Sequence, residues 1–256
     1  MSKGVQSWVL MVVILALTAC NTTGGTRPEY VAPDPKAAEI NMRLGLNYMQ
    51  RGDYAIALEK LQKALKQNPN LPSAHNTIAL LHQRLGEDDK AEAHFLEAVE
   101  RAPEYSEAQN NFGVFLCQQG RYQDAETRFL KAVENPLYNS KAMALENAGL
   151  CVNRIPDTEK AESYFRKALQ IQPTLTKSLL QMATISYEQQ SYLQARAYIQ
   201  RYQQASSWTP QSLFLAIKTE NKLNDQDAVS SYSLILRSRF PDSDEMQMVN
   251  QGLIDS

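Results

Sequence analysis

The chain has 256 residues, 26 basic and 28 acidic, a formal charge of −2 and 43% apolar residues. That near-balance argues against a nucleic-acid or strongly anionic partner, and the apolar content suffices for one or two globular units. Three cysteines are too few for a disulfide scaffold. Abundant Ala, Leu, Gln and Glu with few β-branched runs favour helix throughout.

The first element is a leader, residues 1–19. Lys3 and the α-amino group form a short positive region ahead of the apolar run Trp8–Leu17, WVLMVVILAL. Those ten residues fall short of the roughly 20 needed to span a bilayer, so the run reads as a secretory signal. Ordinary signal cleavage wants a small residue at −3, where Leu17 does not fit. Leu17-Thr18-Ala19-Cys20 instead resembles the bacterial lipobox. The resemblance implies cleavage before Cys20, a diacylglycerol on its thiol and a fatty acid on its new amine. Three acyl chains exceed the two signals that stable anchoring takes. Asn21, rather than Asp, implies export to the outer membrane with the remaining chain in the periplasm. Residues 20–37 then form a lipidated tether, made flexible by its Gly, Thr and Pro.

Beyond it the chain repeats. Pro69 and Pro103 are 34 residues apart, and Pro173 and Pro241 are 68 apart. Between them Gly45, Ala79, Gly113, Gly149 and Ala183 recur in one small slot, and Ala57, Ala91, Ala125, Ala161 and Ala195 in a second. Leu61, Phe95, Phe129, Phe165 and Ile199 follow four residues later, and Ala64, Ala98, Ala132 and Ala168 three beyond those. Two helices approach closely only where side chains are small, and a bulky residue fills the space they enclose. The proline ends the second helix because it has no N–H to continue the ladder. This pattern resembles the tetratricopeptide repeat. It implies an all-α, right-handed α-solenoid of six repeats at 38–71, 72–105, 106–141, 142–175, 176–209 and 210–243, then a tail or capping helix, within a domain of residues 38–256. Repeat three has two extra residues around NPLYNS, and repeat four carries Pro156 near the turn where Gly52, Gly86 and Gly120 stand. Repeat six diverges, with Ile217 and Val229 in small slots.

No catalytic or cofactor motif stands out: there is no Gly-rich phosphate loop, nucleophile elbow or HExxH. His75 and His82 are seven residues apart on one helix, about 10 Å along its axis, too far for one metal ion to bridge without strain. They fill packing slots, and His94 is expected to be a solvated neighbour of Phe95. No metal, cofactor, small-molecule substrate or enzymatic activity is therefore expected. Cys117 and Cys151 lie on the first helices of neighbouring repeats. In an oxidising periplasm a nearby pair tends to join, so a structural disulfide is expected; the alternative is that each packs as a small hydrophobe.

A partner would sit on the concave face, which the first helices of the repeats line. The inward positions give Met42, Leu46 and Met49, then Asn76, Leu80, Gln83 and Arg84, then Asn110, Val114 and Gln118, and in repeat four Glu146, Leu150, Asn153 and Arg154. Amides suit a peptide backbone and apolar side chains suit its side chains. The competing reading has Met42, Leu46 and Met49 merely covering the end of the first repeat. Tyr54, Tyr122 and Tyr192 share one position at the start of the second helix and read as packing residues.

With its lipobox, short tether and six repeats, the chain resembles the PilF/PilW family of type IV pilus biogenesis lipoproteins. The similarity lies in RLGLNYMQRGDYAIALEKLQKALKQNP, AHNTIALLHQRLGEDDKAEAHFLEAVERAP and AQNNFGVFLCQQGRYQDAETRFLKAV, with NNFGVFLC the most specific part. The resemblance implies a pilotin, which binds the secretin subunit of the pilus machinery and promotes its outer-membrane localisation and multimerisation; a monomer is expected. A different scaffold would serve the same anchor and fold: an outer-membrane adaptor for peptidoglycan enzymes.

Overall fold

A computed structural model describes residues 33–155 and 157–254. The leader, Cys20 and nearly all of the tether lie outside the described residues, as does Pro156. The chain divides after Pro33, and the unit described here is the second, Asp34–Ser256.

Thirteen helices and no strand occur among the described residues. In chain order they are α1 (Pro35–Arg51), α2 (Tyr54–Gln67), α3 (Pro72–Arg84), α4 (Asp88–Arg101), α5 (Ser106–Gln118), α6 (Tyr122–Glu134) and α7 (Lys141–Val152). There follow α8 (Thr158–Ile171), α9 (Thr176–Glu188), α10 (Tyr192–Ala205), α11 (Pro210–Lys222), α12 (Gln226–Arg239) and the short α13 (Asp244–Asn250). Successive helices pair as six hairpins, one for each expected repeat, which makes an α-solenoid. Helix α1 starts before residue 38: Asp34 caps it by accepting from the Ala37 N–H, and Pro35 supplies a preset φ at its first turn. The last three residues assigned to the tether are therefore helical.

The small slots sit where the paired helices touch. Gly45, Gly113 and Gly149 each face the bulky residue of their own hairpin; a Cβ there would lie 2.5 Å from Leu61, 2.7 Å from Phe129 and 2.7 Å from Phe165 respectively. Phe95, Phe129 and Phe165 are buried, as are Ala57, Ala91, Ala125, Ala161 and Ala195. Burying each aromatic side chain contributes about 1.5–3 kcal/mol. Repeat six inverts the volumes: Ile217 is fully buried in the glycine slot, and the half-buried Ser233 stands where the other repeats carry the bulky side chain. Met246 of α13 is buried, so the short final helix covers the end of the stack.

Candidate functional site

The odd-numbered helices α1 to α11 pack each on the next in sequence, whereas the second helix of each hairpin contacts only first helices, apart from α12, which also meets α13. The first helices therefore line the inner face. Polar side chains bridge them at most steps. Gln83 donates to Gln118 at 2.6 Å and Asn111 to Asn76 at 3.2 Å, both between α3 and α5. Asn147 donates to Asn110 at 3.0 Å, from α7 to α5. Between α7 and α9 the buried Glu146 carboxylate accepts from the Ser178 N–H and hydroxyl, at 3.0 and 2.8 Å. Asn153, which follows α7, donates to Gln181 of α9 at 3.2 Å. Each such bond contributes on the order of 1 kcal/mol and fixes the register between repeats.

This ladder changes the expected capture surface. Asn76 is 3% exposed and already bonded to Asn111, so it is a register residue and not a groove contact. Met49 is 5% exposed and joins Ala57, Leu61, Ile78 and Leu81 in the core of the first two repeats. Met49 thus shares a buried cluster with residues of α2 and α3. Both residues leave the surface. Met42, Leu46 and Leu80 pack partly against the same core, and Gln83, Asn110 and Val114 are half-buried on the inner face. The accessible set is thus Met42, Leu46, Leu80, Gln83, Asn110 and Val114.

Cys117 of α5 and Cys151 of α7 are joined, with sulfurs 2.13 Å and Cα atoms 5.8 Å apart. They line a depression of about 260 Å³ on the inner face together with Val114, Gln118, Phe129, Asn147, Leu150, Arg154 and Lys177. Lys177 went unnoticed in the sequence; following the inward positions beyond repeat four would have reached it.

The three histidines form one cluster, which corrects the placement of His94. His75 and His94 approach with their Nδ1 atoms 3.0 Å apart, while His75 Nε2 meets the Pro69 carbonyl at 3.0 Å. The carbonyl must accept, so His75 carries its proton on Nε2 and accepts at Nδ1 from His94. The ring of His82 stacks on His94 at 5.7 Å, and its Nδ1 meets Glu87 at 2.5 Å. The 19-residue separation of His75 and His94 crosses one hairpin turn, which spacing along a single helix cannot register. Burial first, then the neighbouring His75 and His82, lowers the His94 pKa to about 4. His75 is lowered mainly by burial, against the pull of the Pro69 carbonyl. No group of three or more His, Cys, Asp or Glu able to hold a metal ion occurs among the described residues.

No helix among the described residues is long and apolar enough to cross a membrane. The repeats match the family described as "TPR repeat" over residues 45–86 and "Tetratricopeptide repeat" over 70–135 and 104–174. Type IV pilus assembly protein PilF of Pseudomonas aeruginosa is 30% identical over 244 residues, 95% of this chain and 97% of that one. A solved structure of Pseudomonas aeruginosa PilF superposes with a TM-score of 0.78 at 31% identity, covering 84% of this chain and 97% of the other. The crystal structure of PilW, described as a widely conserved type IV pilus biogenesis factor, gives 0.73 at 28% identity over 84% of this chain and 99% of that one. Full-length similarity on top of a shared helix order is more than generic repeats supply, and the chain belongs to the PilF/PilW family of tetratricopeptide-repeat proteins.

Proposed function

We infer that this protein acts in type IV pilus biogenesis, as a pilotin that binds the secretin subunit and promotes its localisation and multimerisation at the outer membrane. The observation that carries the reading is the 30% identity to PilF over 95% of the chain. Acyl chains on Cys20 would supply the membrane address, residues 21–34 the reach, and the inner face the grip. Met42, Leu46 and Leu80 offer half-exposed apolar contacts, and Gln83 and Asn110 offer amides beside them. The role is that of an adaptor and not of an enzyme, in keeping with the tetratricopeptide repeats it shares with PilF.

Deletion of the gene is expected to leave the secretin monomeric and to abolish pilus-dependent motility. Met42→Gln with Leu46→Gln should reproduce that loss while the purified protein keeps its helical circular dichroism. Normal secretin multimers in the deletion strain would overturn the pilotin reading. Normal multimers with the folded double variant would move the grip elsewhere.

A further inference from the structure

The depression above the Cys117–Cys151 disulfide combines an apolar floor with two cations. Its floor is apolar, from Val114, Leu150, Phe129 and the disulfide itself. Arg154 and Lys177 stand at it exposed, and among the described residues neither has an ion pair or a side-chain hydrogen bond. They contrast with Arg121 and Arg196, each of which holds two carboxylates. No carboxylate lines the depression. Glu146, beside Asn147 in sequence, is buried and accepts from Ser178, and Asp157, three residues from Arg154, is taken by Lys160.

The two amides at the site are each half-used. Gln118 accepts from Gln83 through Oε1, which leaves its NH₂ as a donor. Asn147 donates its NH₂ to Asn110, which leaves Oδ1 as an acceptor. One donor and one acceptor are what the C=O and N–H of an extended backbone require.

We propose that the depression bounded by Arg154, Lys177, Gln118 and Asn147 over the Cys117–Cys151 disulfide docks an extended polypeptide segment in which an aspartate or glutamate adjoins an aliphatic residue. The aliphatic side chain lies on Val114 and Leu150, the carboxylate is held between the two cations, and the amides take the backbone. The proposal rests on the pilotin reading only for the identity of the partner, and it names that partner's chemistry.

The test uses the full-length lipidated protein in detergent and fluorescein-labelled peptides of alternating Leu and Asp, with amidated ends so that no terminal carboxylate contributes. The Asp peptide should bind about tenfold or more tightly than its Asn counterpart, and salt should weaken it. Arg154→Gln with Lys177→Gln should erase that preference, and Arg154→Glu with Lys177→Glu should transfer it to a Lys peptide. Equal binding of Asp and Asn peptides, or an unchanged preference in the folded variants, overturns the proposal. So does binding of phosphatidylglycerol vesicles that is lost in the variants without any peptide selectivity, which would make the site a lipid contact. If peptide selectivity fails while gene deletion still leaves the secretin monomeric, only the docking site falls. If selectivity holds while the deletion strain assembles its secretin, only the pilotin reading falls.

Discussion

Gly149 of α7 faces Phe165 of α8 so closely that a Cβ on the glycine would lie 2.7 Å from the ring. No real Cβ sits there, so the two helices can meet only because one residue has no side chain. Gly149→Val is expected to destabilise the protein by about 1–3 kcal/mol through overpacking. Urea unfolding measures this as a lower midpoint at unchanged slope. A wild-type midpoint would show that the hairpin opens freely, against the packing described.

In five of the hairpins the turn takes a residue with left-handed backbone. Gly52, Gly86 and Gly120 take it with φ of 88°, 73° and 77°, and the equivalent positions in repeats five and six are Gln190 and Asn224, both at 60°. Asparagine tolerates that region better than glutamine does. Gln190→Gly should therefore stabilise the protein by about 1 kcal/mol, and Asn224→Gly by less. Gly86→Val should destabilise by a comparable amount or more. Thermal melts of the three variants decide the order, and a destabilised Gln190→Gly would contradict it.

The histidine cluster makes stability depend on pH. In the folded protein His94 titrates near 4 and His75 below its ordinary 6.5, because both are buried beside each other. The unfolded chain binds protons to these rings as pH drops through 6.5, whereas in the folded chain His94 does so only near 4 and His75 below its ordinary value. Stability from the cluster is therefore complete above about pH 6.5 and is lost as pH falls toward 4. Nearby Glu97 resists the effect and Arg101 reinforces it at His75. The urea midpoint should fall between pH 7 and pH 4.5, and less steeply in His94→Gln. Parallel profiles for the two proteins would remove His94 from the account.

Much of this was legible in the sequence, and for a single reason. Slots such as Gly113 and Phe129 repeat because every hairpin solves the same packing problem, so periodicity encodes contacts within a hairpin directly. Contacts between hairpins are encoded less plainly. Asn76 resembles Asn110 by position, yet Asn76 is buried under Asn111 while Asn110 stays half-exposed, because what covers each depends on the neighbouring repeat. Met49 misled for the same reason: its slot carries the half-buried Gln83 and Cys117 in the next two repeats, whereas Met49 is buried in the core of the first two. The glycine-slot inversion in repeat six was half visible: Ile217 stood out as divergent, and its smaller counterpart Ser233 explains how the hairpin accommodates it.

The disulfide between α5 and α7 offers the last prediction. It spans 34 residues of sequence, and closing a loop of that size restricts the unfolded chain by about 3–4 kcal/mol in the chain-entropy description. It also ties repeat three to repeat four across the two-residue insertion, where α6 ends at Glu134 and α7 begins only at Lys141. Cys117→Ser with Cys151→Ser should lower stability by about 2–4 kcal/mol. Because each repeat in a solenoid touches only its neighbours, the loss of hydrogen-exchange protection should centre on α5–α8 and leave α11 and α12 nearly unchanged. The exported protein, alkylated before reduction, should show neither cysteine modified. Modification of both, together with an unaltered melt in the double serine variant, would mean that the two thiols pack side by side without bonding and that the hydrophobic contacts of α5 on α7 alone hold the repeats together.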